Sequence, residues 1–341
     1  IHILQEKIYG LAAEMEAILS VRNSIALETG SKDTIPPCFI EGAPFIEGCF
    51  AGTHIIGVSF DFNFDSDRAN IKNVEYKNET LGRIFETPLF KEIYLSGISD
   101  YKKSNIPAEQ AKLMFHKAVD ILKNEHCSAE NIIRTWIYFP HILDWYEEFN
   151  KARDLCFKKF GLIAEDKKQG DKNSDIKLYL PASTGIQGKR FAGEECFMDV
   201  LCFMPKSKDQ QVSIMTNNRQ NEAYEYGSSF SRGIKLSDNH SNRFYISGTA
   251  SINTKGETVY KNDCQGQIVQ TLLSIASLLD TENAGINNIA IATAYCKNTE
   301  VYEKTKNIIK SFNLEYIPLI YVLADVCRDD LLFEIDAIAI T

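Results

Sequence analysis

No run of apolar residues in this chain approaches the length of about 18 that a membrane-spanning helix requires, and no signal-peptide pattern opens it. There is no Cys-x-x-Cys pair either. The nine cysteines (38, 49, 127, 156, 196, 202, 264, 296, 327) are odd in number, scattered and mostly set in apolar segments. That usage fits reduced thiols acting as small hydrophobes in a cytoplasmic protein. The six histidines (2, 54, 116, 126, 141, 240) show no ligand spacing, so no metal is expected; His116 lies in a helix-period segment, where packing or exposure is the simpler reading. Basic charge is not in excess. Lys and Arg number 37 against 46 Asp and Glu, a net charge of −9, which argues against a general nucleic-acid surface and leaves room for a local basic pocket.

Three near-motifs also fail. Gly185-x-x-Gly188-Lys189-Arg190 is too short for a phosphate loop and has Arg where Ser or Thr belongs. Asp61-x-Asn63-x-Asp65 lacks the glycine and the closing glutamate of a calcium loop, and Phe60, Phe62 and Phe64 alternate with it as in a half-exposed strand. Asn78-Glu79-Thr80 is a chance sequon in a chain expected in the cytosol.

What is present is an ordinary core-forming composition over 341 residues, 44% hydrophobic and 24% charged, long enough for two domains. Ile3, Ile8, Leu11, Ala12, Met15, Ile18 and Leu19 carry helical spacing and predict an amphipathic helix over 3–20. Pro36-Pro37 and glycines 42, 48 and 52 then punctuate short apolar runs, and 54–64 reads as a strand.

From about residue 90 the chain repeats itself. Ile93-Tyr94-Leu95-Ser96-Gly97 recurs as Phe244-Tyr245-Ile246-Ser247-Gly248, and the helix-period segment 108–123 recurs at 264–280. The strand 131–138 recurs at 288–295, a second helix opens at Tyr146-Glu147 and again at Tyr302-Glu303, and 196–204 stands where 331–340 stands in the second copy. This order predicts an α/β protein of two tandem β-α-β-α-β units from an internal duplication. The expected domains are 1–210, with an extra N-terminal helix and a polar exposed insertion over 161–179, and 211–341, with the boundary segment at 205–222. Each sheet would have one face under its two helices and the other buried against the sibling unit or another chain, so an oligomer is expected.

The closing strand carries the least ordinary feature. Leu331, Phe333, Ile335 and Ala337 alternate with Leu332, Glu334, Asp336 and Ile338, so two carboxylates share one face of an otherwise apolar strand. An edge strand with both acids in water is one reading. Buried acids, which must be paired, hydrogen-bonded or protonated, are the other.

Several separated motifs in the second half resemble the RidA/YjgF family: Tyr-x-Ser-Gly at 245–248, Gln267 opening a long helix, Ala284-Gly285 before a strand, and Glu334-Ile335-Asp336-Ala337-Ile338-Ala339. The whole chain resembles one branch of that fold, the chorismatases. The residues that carry this are Glu147-Glu148-Phe149-Asn150-x-x-Arg153, Leu180-Pro181-Ala182-Ser183-Thr184-Gly185-Ile186, Arg219-Gln220, Ala223-Tyr224, and Tyr226-Gly227-x-x-Phe230-Ser231-Arg232. Ile246-Ser247-Gly248-Thr249-Ala250-Ser251-Ile252 and Asp325-Val326-Cys327-Arg328-x-x-Leu331-Leu332-x-Glu334 complete the set. The sequence departs from the pattern in a short 226–230 loop and in Ile137, where Asn is usual. Leu319 follows Pro318 where RidA enzymes have a carboxylate-gripping Arg.

The resemblance implies a chorismate-mutase-like α/β architecture, a homotrimer, and hydrolysis of chorismate to pyruvate plus a cyclohexadiene diol or a hydroxybenzoate. It implies neither metal nor organic cofactor, a small-molecule substrate, and no nucleic-acid or membrane partner. It puts the catalytic acid at Glu334, a role a carboxyl desolvated in an apolar strand can fill. Two substrate carboxylates call for arginines, and Arg153, Arg232 and Arg328 are the candidates. Arg153 could equally snorkel, and Arg328 could pair with Asp325 or Asp329. Tyr224 could bind a carboxylate or a backbone carbonyl. By the resemblance, Ala250 and Cys327 flank the ring and bias the product, although a buried inert thiol is the plain reading of Cys327. The rival functions are a RidA-like imine or enamine deaminase and a non-catalytic small-ligand scaffold.

Overall fold

The computed structural model describes residues 1–29, 35–59, 69–163, 180–217, 219–220 and 223–341. The Asp61-to-Asp65 run, the end of the strand expected over 54–64 and most of the polar insertion lie outside the described residues.

The chain opens with β1 (His2–Gly10), α1 (Met15–Glu28), β2 (Cys38–Glu41) and β3 (Phe50–Val58), which form a small sheet in the order β2-β1-β3. This corrects the helix expected over 3–20: only its second half is helical. The spacing misled because both faces of β1 are covered and its polar residues are buried rather than solvated. Glu6 is gripped by Arg22 of α1 at 2.6 Å, and Lys7 lies 3.7 Å from Asp199 and 3.1 Å from the centroid of the Trp136 ring. A strand whose charges find partners loses the inside–outside alternation by which strands are read.

The first unit follows as β4 (Asn70–Tyr76), β5 (Glu79–Glu86), β6 (Phe90–Ile98), α2 (Pro107–Asn124), β7 (Ile132–Phe139), α3 (Ile142–Lys159), β8 (Ala182–Gln187) and β9 (Phe197–Pro205). The second is β10 (Gln211–Met215), β11 (Gly233–Ser237), β12 (Asn242–Ala250), α4 (Cys264–Asp280), β13 (Ile289–Cys296), α5 (Thr299–Ser311), β14 (Leu319–Leu323) and β15 (Phe333–Ile340). Strand orders β4-β5-β6-β9-β7-β8 and β10-β11-β12-β15-β13-β14 are identical. In each, the last two strands of the list pair in parallel and their neighbours antiparallel. The segment read as a boundary holds β10, the edge strand of the second sheet.

Each six-stranded sheet has its helices on one face. Phe115, Phe149 and Phe157 of α2 and α3 pack against Ile137, Met198 and Val200, and Leu272, Ile275 and Leu279 of α4 pack against Ile246, Ile335 and Ala337. The opposite faces meet each other and the small sheet in a shared interior that includes Leu4, Tyr9, Tyr94, Trp136, Leu201 and Tyr245. The inner faces are thus buried within one chain. All nine cysteines are free, six of them buried, and no helix among the described residues is long and apolar enough to cross a membrane.

Candidate functional site

β8, the edge of the first sheet, runs into the second unit and is stitched there. The Ser183 amide donates to Ser247 Oγ at 2.8 Å, the Ser247 hydroxyl donates to the Ser231 carbonyl at 2.6 Å, and the Ser231 amide donates to the Pro181 carbonyl at 3.0 Å. Above this seam α3 and the 227–232 segment enclose a cavity of about 810 Å³. Glu334, Arg153, Arg232, Arg328, Ala250 and Cys327 all line it. Tyr224 does not: it is half-buried outside the wall, its hydroxyl pKa raised by lost hydration and then by Asp154.

Glu334 settles the choice left open for the closing strand. It and Asp336 are 4% and 5% exposed, so neither acid faces water. Loss of hydration pushes Glu334 up to about 8. The negative charge of Asp336 pushes the same way, and Arg134 and Arg232 oppose it in part. A carboxyl at that value is mostly protonated at neutral pH, the state a proton donor needs. Asp336 is held differently: Arg134 Nη2 donates to it at 3.1 Å and the Thr184 hydroxyl at 3.0 Å.

Gly248 fixes where the carboxyl lies. A Cβ at this position would collide with Glu334 Oε1 and stand 2.9 Å from its Cδ. The obstacle is the end of a side chain rather than backbone, so Gly248→Ala is expected to fold and to displace the carboxyl. A displacement of about 1 Å lowers turnover on the order of 100-fold, to be checked by steady-state kinetics beside a thermal melt.

Arg153 and Arg232 are each 2% exposed, and both guanidinium carbons lie 5.7 Å from the Phe230 ring centroid. Arg153 Nη2 donates to Asn150 Oδ1 at 2.7 Å, while its buried Nε has no partner among the described residues. Snorkelling is therefore not what this side chain does. Arg328 donates to the Gly256 carbonyl at 2.8 Å, and it is Lys297 that approaches Asp325 and Asp329, at 3.8 and 2.8 Å. The Cys327 thiol is pushed up to about 12, by desolvation first and then by Glu334, so it is not a thiolate at neutral pH.

Sequence reasoning missed Trp145. It lines the cavity, breaks the helical path of α3 with φ −150° and ψ 19°, and buries an indole N–H without a partner among the described residues. No proline or glycine marks the kink, so periodicity gave no signal. Asp154, which accepts from the Ser229 hydroxyl, was also passed over.

Arginines around a secluded protonated carboxyl can bind a dianionic ligand and deliver one proton. Residues 222–341 match the Endoribonuclease L-PSP family, and among curated protein sequences nothing matches. The whole structure is similar to a crystal structure of chorismatase, with TM-score 0.67 and 16% identity, covering 99% of this chain and 93% of that one. Shorter likenesses include a putative endoribonuclease from Thermotoga maritima (TM-score 0.32, 15% identity, 38% of this chain and 97% of that one). Escherichia coli TdcF with bound serine is another (TM-score 0.32, 21% identity, 38% and 98%). The fold is that of chorismatase, two RidA/YjgF-like units in tandem.

Proposed function

We propose that this protein hydrolyses chorismate, with Glu334 as general acid. The carrying observation is a buried carboxyl, pushed up to about 8, in one cavity with Arg153, Arg232 and Arg328. The arginines hold the two carboxylates of the substrate. Glu334 protonates the methylene of the enol ether, the double bond becoming an oxocarbenium ion. Water adds to that carbon, and the hemiketal collapses as the bond to the ring oxygen breaks, leaving pyruvate and a cyclohexadiene diol. A hydroxybenzoate forms instead if the ring loses water. In this reading Ala250 and Cys327 bias the outcome by leaving or denying room for water beside the ring. No step calls for a metal or an organic cofactor.

Imine deamination has less support, because Leu319 packs as an apolar residue against the second unit's helical core. As for assembly, an uncovered sheet face called for an oligomer of unspecified size, and the homotrimer rests on the resemblance alone. Here the inner faces cover one another, so the sheet face does not itself call for a partner chain.

The test is pyruvate release from chorismate as a function of pH, with the ring product identified. Because the acid must be protonated, kcat/KM is expected to be flat up to about pH 8 and to fall tenfold per pH unit above it. Absent pyruvate at every pH, or a rate that rises through pH 8, would refute the assignment.

A further inference from the structure

The two units correspond residue by residue at their central strands. Tyr245, Ile246 and Thr249 of β12 face Ile338, Ala337 and Ile335; Tyr94, Leu95 and Ile98 of β6 face Leu201, Val200 and Met198. Both pairs slip register at the Ser-Gly step. The match equates Gly97 with Gly248, Asp199 with Asp336, and Phe197 with Glu334. The other strand of each pairing agrees: Tyr138 faces Phe197 as Tyr295 faces Glu334. The first unit has therefore kept the glycine and the inner aspartate and has no acid at the third position.

A cavity of about 410 Å³ nevertheless lies at the counterpart place, between the first sheet and residues 36–38 of the small sheet's edge. Over Gly97 stands a guanidinium where Glu334 stands over Gly248. A Cβ on Gly97 would collide with Arg190 Nη1 and lie 3.1 Å from its Cζ. Arg190 is held by Glu194 at 2.7 Å and lies 4.6 Å from the ring centroids of Phe191 and Phe197. Lys77, Lys102, Lys103 and Lys117 also line the cavity, against the acids Glu79 and Asp100. This is a local excess of positive charge in a chain whose net charge is −9. Tyr101 and Phe191 stack at 6.3 Å on its wall. Lys117 donates to the Ser99 carbonyl at 3.0 Å, and burial lowers its pKa, so an incoming carboxylate would repay lost hydration.

We propose that this cavity is a second, non-catalytic site that binds a carboxylate-bearing ring compound through cations and aromatic walls. The duplication supplied two cavities, and the exchange of acid for phenylalanine, with an arginine over the glycine, left one of them able to bind but not to donate a proton. This inference does not rest on chorismate being the substrate of the other cavity.

Equilibrium dialysis with 4-hydroxybenzoate tests it. The full chain is expected to bind two equivalents. Arg153→Met/Arg232→Met should leave one. On that background Lys117→Met should weaken the remaining site at least tenfold, and Lys102→Ser/Lys103→Ser, at exposed positions where folding is not at stake, at least threefold. A single equivalent in the full chain that vanishes with the two arginines would overturn the proposal, as would residual binding indifferent to the lysines. Chorismate turnover enters neither outcome, so failure here is separable from failure of the proposed reaction.

Discussion

Glu334→Gln is expected to abolish pyruvate release from chorismate while leaving the affinity for a ring carboxylate within about threefold. The amide keeps the shape and burial of the side chain and takes away only its transferable proton. General acid catalysis contributes on the order of 100- to 10,000-fold, so single-turnover quench-flow should show the full loss in the chemical step. The same substitution has a stability signature of known sign. The folded pKa of Glu334 is raised to about 8 from an unfolded value near 4.3. The stability this group contributes is therefore complete below about pH 4 and is lost as pH rises through about 8, because the folded state resists releasing the proton. Gln titrates in neither state. The variant should therefore match the parent in unfolding free energy from urea titration at acid pH and exceed it at pH 9, by on the order of a few kcal/mol. Loss of activity without that divergence would mean Glu334 is not the desolvated acid. Consumption of 2-aminoacrylate, with chorismate untouched by the parent, would move the assignment to imine chemistry.

The oddity of a carboxyl at Glu334 and the duplication are legible in the sequence for physical reasons that do not extend to the rest of the site. The role of acid comes from the resemblance. Glu334 is legible because a carboxylate interrupts an apolar alternation, and the repeat is legible because both copies kept the same order of apolar periods. Arg134 is not. It sits in a strand buried along its whole length, and the aspartate that balances it lies 202 residues away. The small N-terminal sheet is hidden for a related reason, since Glu6 and Lys7 are neutralised by groups from other elements and mimic a solvated helix face. Trp145 owes its place to a backbone kink that carries no compositional mark. Sequence shows where a charge is costly; only the fold shows which distant group answers it.

The Arg134–Asp336 pair is where the second large effect is expected. Arg134 is 1% exposed and bridges the first sheet to the second, donating to Thr184 Oγ1 at 2.6 Å and Asp336 Oδ2 at 3.1 Å. Removing one partner strands the other charge in the interior, which costs about 3–5 kcal/mol. Arg134→Met and Asp336→Asn should each lower the urea midpoint accordingly, and Arg134→Met/Asp336→Leu should recover most of the loss, because no bare charge remains. The pair also brackets the proposed acid. Asp336 pushes the Glu334 proton on and Arg134 pulls it off, while Arg232, facing the same carboxyl, is untouched by either change. The alkaline limb of kcat/KM is therefore expected to move down in Asp336→Asn, up in Arg134→Met, and back toward the parent position in the double variant. Opposite displacements cannot come from destabilisation, which has the same sign in both single variants. If both limbs moved the same way, the pair would be holding the two sheets together without tuning the acid between them.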